Sequence, residues 1–192
     1  MIVGIDYSMT SPALCVCVGE FDIKNCKFLY VTNVKKYEGV FGQFEGVLVD
    51  SWKHNADRFD QLAGIARDFI FNNWPEDSPE PLIGLEGYAM GAKGQVFNIG
   101  ENTGILKYYI QVLEEWEVAT YAPSSIKKFA TEKGNADKEK MYESFILDTG
   151  LDLEKVFGFD IDPEKIRGPI SDVVDAYYIA KLHSQAVSLI ES

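Results

Sequence analysis

The most constraining stretch of this chain is its last one. The run Ser171-Asp172-Val173-Val174-Asp175-Ala176-Tyr177-Tyr178-Ile179-Ala180 has the apolar character of a helix buried around most of its circumference, yet it carries two aspartates. The helical pattern continues to about Ile190. Asp172 and Asp175 are three positions apart, so they share a helix face. Two carboxylates on a helix that must be largely buried need compensation, and a divalent cation would supply it. Any fold for the chain has to bury this helix and still find partners for its two acids.

Strands come first along the chain. Ile2 to Asp6, Ala13 to Val18 and Lys27 to Val34 are each rich in β-branched or aromatic residues. Ser11-Pro12 and Lys24-Asn25 break them as turns, so an antiparallel meander is expected. A polar stretch with Gly39, Gly42 and Gly46 follows, with no element assigned to it. Phe59, Leu62, Ile65, Ala66, Phe69 and Ile70 have helix spacing, and Trp74-Pro75 with the Pro79/Pro81 cluster ends that helix. Leu82 to Glu86 reads as a short buried strand, followed by a glycine-rich loop from Gly87 to Gly94. A second helix is expected from about Val96 to Trp116, then a strand from Val118 to Tyr121. Pro123-Ser124-Ser125 opens another helix, and Asp137 can cap the next, which carries Met141, Phe145 and Ile146. Residues 150–170 are acidic, contain Pro163 and Pro169, and read as a loop or short insertion. This order predicts one α/β domain over 1–192, with a mixed sheet, an antiparallel hairpin edge and crossover helices.

Composition narrows the setting. At 192 residues and 46% hydrophobic, the chain can build a real core. No apolar run approaches the roughly 20 residues needed to span a bilayer. No charged leader precedes an apolar stretch at the N-terminus, so no signal peptide is expected. Cys15, Cys17 and Cys26 are an odd set for a disulfide framework. Cys15 and Cys17 alternate on one side of a strand and read as buried thiols rather than zinc ligands. A reduced, cytoplasmic compartment is the expectation. The net charge of −12 argues against non-specific binding of nucleic acid over the whole surface. Residues 91–140, however, carry seven basic and seven acidic side chains and are the least hostile place for a phosphate backbone.

Asp6 ends the first strand and Glu86 the fourth. Both strands are expected to be central, so both carboxylates emerge at a sheet end, where α/β proteins build sites. Each acid has an ordinary alternative. Asp6 can cap a turn, Asp172 can be the N-cap of its helix, Asp175 can complement the helix dipole, and Glu86 can pair with a lysine. Together, on these elements, the four fit one metal site better. His183 lies about 16 Å along the helix from Asp172, from a rise of roughly 1.5 Å per residue, and is left out of the site.

Four segments carry a resemblance that is specific in order and spacing: Gly4-Ile5-Asp6-Tyr7-Ser8 with Ser11-Pro12-Ala13; Ile83-Gly84-Leu85-Glu86 with its loop; Pro123-Ser124-Ser125-Ile126-Lys127-Lys128 through Gly134-Asn135-Ala136-Asp137-Lys138; and Ser171-Asp172-Val173-Val174-Asp175-Ala176. In these the chain resembles the RuvC family of Holliday junction resolvases. The resemblance implies a ribonuclease H-like fold: three antiparallel strands, then parallel strands, flanked by helices. It implies Asp6, Glu86, Asp172 and Asp175 as catalytic and metal-binding residues, with two Mg²⁺ or Mn²⁺ ions. The implied activity is paired, symmetric nicking of four-way DNA junctions by a homodimer. DNA contacts are expected from Lys127, Lys138 and Lys93, and from Tyr88 as an aromatic wedge. Tyr7-Ser8 departs from the Pro-Gly usual in the cellular enzymes, which suggests a divergent, bacteriophage-type member. Other branched DNA, flaps or RNA-containing duplexes are alternative substrates. An actin-like or sugar-kinase-type ATPase is the alternative outside nucleases, with little room for it in 192 residues.

Overall fold

A computed structural model describes residues 1–49, 51–88, 96–158 and 165–190. The meander is present: β1 (Ile2–Asp6), β2 (Ala13–Cys17) and β3 (Cys26–Thr32) pair antiparallel in sequence order. Two more strands, β4 (Gly39–Phe41) and β5 (Phe44–Leu48), follow at one edge, with β5 parallel to β3 and β4 antiparallel to β5. On the other side β6 (Leu82–Glu86) pairs parallel to β1, and β7 (Val118–Tyr121) parallel to β6. The sheet order is β4-β5-β3-β2-β1-β6-β7, which puts β1 in the interior with β6 beside it.

Helices cover both faces. On one lie α1 (Asn55–Asn73) and α2 (Val96–Lys107), packed on Val3, Ile5, Leu14, Val16, Leu29 and Val31. On the other, α3 (Pro123–Thr131), α4 (Lys138–Thr149), α5 (Leu153–Phe157) and α6 (Ile170–Ile190) share a core with Ile2, Cys15, Phe28, Tyr30 and Phe44. Alternate residues of each strand thus feed different cores, as the two-residue period of a strand requires. Burying each large side chain contributes roughly 1.5–3 kcal/mol. Asp137 caps α4 through its Oδ1, which accepts from the Lys140 amide at 2.8 Å. All three cysteines are buried and free.

The apolar α6 lies along β1 and β2 and reaches β6. Its fit on β1 is close: a Cβ on Gly4 would stand 2.3 Å from both Ala176 O and Ala180 N. Gly84, which is opposite Gly4 in the parallel register, likewise faces α6, with His183 Cβ 3.0 Å from where its own Cβ would be. Two glycines side by side let the helix backbone settle onto the centre of the sheet.

The structure corrects three sequence expectations and removes one alternative. The glycine-bearing stretch 39–48 forms β4 and β5. Gly42 turns the hairpin at φ 64°, and Gly46 leaves room for the Tyr30 ring and the Tyr37 carbonyl, each within 2.7 Å of its missing Cβ. The long second helix does not keep α geometry to Trp116, since Tyr108–Leu113 winds as a π-helix. Residues 153–157, expected within a loop, form α5 and bury Leu153 and Phe157. Finally α6 begins at Ile170, so Asp172 lies inside its first turn and is not its N-cap.

Candidate active site

The sheet register and the seating of α6 bring four acids to one pole. Asp6 and Glu86 end β1 and β6, each two residues beyond the glycine under α6, and so on the α6 side. The first turns of α6 reach the same end, where Asp172 lies one turn before Ala176. Asp6 and Asp172 are buried, and Glu86 and Asp175 are half-buried.

Their electrostatics are those of a cluster short of positive charge. Burial, and then the charges of Asp175, Glu86 and Asp172, hold the Asp6 carboxyl well above the usual carboxylate range. Burial, together with Glu86 and Asp172, pushes Asp175 up to about 7 against the pull of Lys138 and Lys127. Burial also raises Glu86, opposed by a hydrogen bond with Asp6 and by the same two lysines.

Asp172 is held differently. Its Oδ1 accepts from Ser171 Oγ at 2.9 Å, and Ser171 Oγ accepts in turn from Lys138 Nζ at 2.9 Å. Its Oδ2 is buried without a hydrogen-bond partner. Gly168 lies against that atom, so closely that a Cβ there would stand 2.4 Å from it. A buried carboxylate oxygen without a donor is costly, and a hard cation with oxygen ligands suits it. The donor set therefore fits Mg²⁺ or Mn²⁺ in kind. It is not a closed cage as it stands. Among the described residues no three acidic, histidine or cysteine side chains converge in ion-coordinating geometry. Asp6 is turned to Glu86 and Asp172 to Ser171, so coordination requires side-chain rotation.

The structure brings Lys127 and Lys138 to the same pole, where both act on Glu86 and Asp175. Neither projects freely: Lys127 Nζ donates to Ala136 O at 2.8 Å, and Lys138 is bound to Ser171. Tyr88, two residues past Glu86, is 48% exposed and is not packed away at the sheet end. Lys93 and Met90 lie outside the described residues. Phe97, in the first turn of α2, is 85% exposed. The turn after Asp6 is shaped by Ser8, whose Oγ accepts from the Ser11 amide at 2.9 Å and whose carbonyl accepts from buried Asn102 Nδ2 at 3.3 Å. Tyr7 is buried in the α1/α2 core. His183 is buried beside Gly84 and hydrogen-bonded to the Tyr121 hydroxyl at 2.7 Å, away from the acids. Sequence reasoning missed Ser171 and Gly168. It also missed that Gly4-Ile5-Asp6 and Gly84-Leu85-Glu86 are one device used twice, a repetition legible in the residues themselves.

No family model matches the chain, and no curated protein matches it in sequence. Solved structures do match. Thermus thermophilus RuvC in complex with a Holliday junction substrate superposes with a TM-score of 0.64 at 16% identity, covering 98% of this chain and 96% of that one. A second Thermus thermophilus RuvC structure gives 0.55 at 17% identity, over 97% and 95%. The yeast mitochondrial Holliday junction resolvase Ydc2 gives 0.54 at 11% identity, over 96% of this chain and 78% of that one. The mixed sheet with its flanking helices is therefore a ribonuclease H-like fold of the RuvC type, running through nearly the whole chain.

Proposed function

We propose that the chain is a divalent-metal-dependent endonuclease that resolves four-way DNA junctions. One observation carries this: on a RuvC-type fold, Asp6, Glu86, Asp172 and Asp175, from three separate elements, crowd at one pole of the sheet, where burial and the neighbouring acids raise the proton affinity of Asp6 and Asp175. These four residues would hold the metal. The chemistry supplied by two bound Mg²⁺ or Mn²⁺ ions is activation of the attacking water and stabilisation of the leaving 3′ oxygen.

The protein's own groups do the rest. Asp6 and Glu86 would be the metal's ligands from the strand ends. Lys127 and Lys138 offset the negative charge of the pole and meet the DNA backbone on the side of α3 and α4, where the chain is least acidic. Tyr88 stands at the rim, placed to stack on a base opened at the junction centre. Lys93 completes the proposed DNA contacts.

Symmetric paired nicks need two sites related by a two-fold axis, so the working form is a homodimer. The outward side of α2 suits it. Gly100 and Gly104 have open space where a side chain would go, and Phe97, Tyr108 and Val112 are exposed on the same helix and its π-helical continuation. Small residues there permit close approach of a second helix.

The test is incubation with a labelled four-way junction and Mg²⁺, against linear duplex and flap controls. Paired nicks at the junction that disappear in chelator are expected. Equal cutting of the linear duplex, or full activity in excess chelator, would sink the proposal.

A further inference from the structure

Lys138 and Asp172 stand one hydroxyl apart. Lys138 is the first residue of α4 and Asp172 lies in the first turn of α6. Between them Ser171 Oγ accepts from the ammonium at 2.9 Å and donates to Asp172 Oδ1 at 2.9 Å. The ion pairs among the described residues do not include Lys138 with Asp172. Ser171 is 3% exposed, so water has little room to take the place of its hydroxyl. On the other side of the carboxylate, Oδ2 is buried without a partner against Gly168.

This geometry has a chemical consequence. An ammonium bonded directly to a carboxylate occupies the place that a metal ion needs, and the two cations compete for the same oxygens. An ammonium one hydroxyl further off still lowers the electrostatic cost of the crowded acids without covering their ligand atoms. We infer that Ser171 is a positioning residue: it holds Lys138 off Asp172, so that the carboxylate, once turned, meets a divalent cation rather than the ammonium, while the lysine stays within reach of the pole. The inference rests on the metal-nuclease reading and adds to it the residue that keeps an internal cation from displacing the metal.

Outer-shell partners of metal ligands typically account for 10- to 100-fold in metal affinity. The probe is Mn²⁺ alone, titrated calorimetrically into the full chain without DNA. Ser171→Ala should bind Mn²⁺ about 10- to 100-fold more weakly, because Lys138 can then close directly on Asp172. Adding Lys138→Met to Ser171→Ala removes the competitor, so the affinity should recover to that of Lys138→Met alone. Ser171→Thr, which keeps the hydroxyl, should bind as the parent does. If that variant does not fold, the other two arms still decide. Parent-like Mn²⁺ affinity in Ser171→Ala, or a double variant as weak as Ser171→Ala, overturns the inference while leaving the nuclease reading intact. A parent chain that neither binds Mn²⁺ nor cuts a junction overturns both.

Discussion

On the α1/α2 face of the sheet the strands present Val3, Ile5, Leu14, Val16, Leu29 and Val31, and the helices stand off at the distance those side chains set. On the α6 face, β1 and β6 present Gly4 and Gly84, and the helix backbone comes down to the strands. The first face is an ordinary hydrophobic interlayer, tolerant wherever volume is kept. The second is a backbone-to-backbone fit, and its reward is positional: with α6 fixed on β1, the helix start carrying Asp172 and Asp175 is set over the strand ends carrying Asp6 and Glu86. Stability is spread over both faces. Site geometry depends on one.

The largest expected effect belongs to the α6 face. Asp6→Asn keeps side-chain size and removes the charge of a proposed ligand, so junction cleavage should fall by orders of magnitude. Folding and junction binding should survive, because relieving a cluster of like charges is not intrinsically destabilising. Single-turnover cleavage beside a gel-shift assay separates the two, and near-parental cutting would remove Asp6 from the chemistry.

Two core variants then test the contrast itself. Leu62→Ala, in the α1/α2 core, should cost roughly 2–5 kcal/mol by urea unfolding and leave Mn²⁺ affinity per folded molecule unchanged. Gly4→Ala should cost at least as much, because its Cβ would meet the Ala176 and Ala180 backbone at 2.3 Å, and it should also weaken Mn²⁺ binding, since that Cβ displaces α6. Should Leu62→Ala shift metal affinity as much as Gly4→Ala, the division of labour between the faces is wrong.

Acidity gives a smaller effect whose sign is fixed. Asp175 is raised to about 7 in the folded protein from its ordinary value near 4. The native state therefore binds more protons than the unfolded chain across that window. Without metal, stability should fall as pH rises from about 4 to about 7. Asp175→Asn should flatten this slope in a Tm series in chelator. Saturating Mg²⁺ should stabilise most at the upper end, where the acids have already lost their protons. A slope identical in parent and variant would place the proton elsewhere.

The smallest energetic effect is expected outside both cores. Tyr108→Ser on the outward side of α2 should change unfolding free energy by no more than about 0.5 kcal/mol. It should nevertheless shift a two-fold dimer toward monomer in sedimentation velocity. An unchanged distribution would move the partner surface off α2.

Much of this was legible in the residues. Five of the seven strands announce themselves through β-branched runs with clear turn breaks, and α1 through its apolar spacing. The acids of the candidate site are legible because each violates its surroundings: a carboxylate at the end of an apolar strand, or on an apolar helix. What stayed hidden is what only packing decides. Gly46 weakens the strand pattern of β5, yet it is the residue that admits the Tyr30 ring. The change to π winding at Tyr108 has no counterpart in hydrophobic period. Ser171 looks like an ordinary helix-start serine until α4 delivers Lys138 to it. Gly46 and Ser171 turn on contacts between separate elements, whereas the π winding and α5 are local features that the hydrophobic pattern does not carry.

The interval between Gly4 and Asp6, matched by that between Gly84 and Glu86, also says what kind of genetic change this protein can absorb. Strand side chains alternate faces, so inserting one residue between glycine and acid turns the carboxylate to the α1/α2 core. The loops at either end tolerate added length far better, because they set no alternation. A second insertion beside the first restores parity, though not reach: the acid then stands about 7 Å further along the strand, from a rise of roughly 3.3 Å per residue. Variation in length should therefore collect in the connections, while the two glycine-to-acid intervals keep a fixed count even where every other residue around them has been replaced.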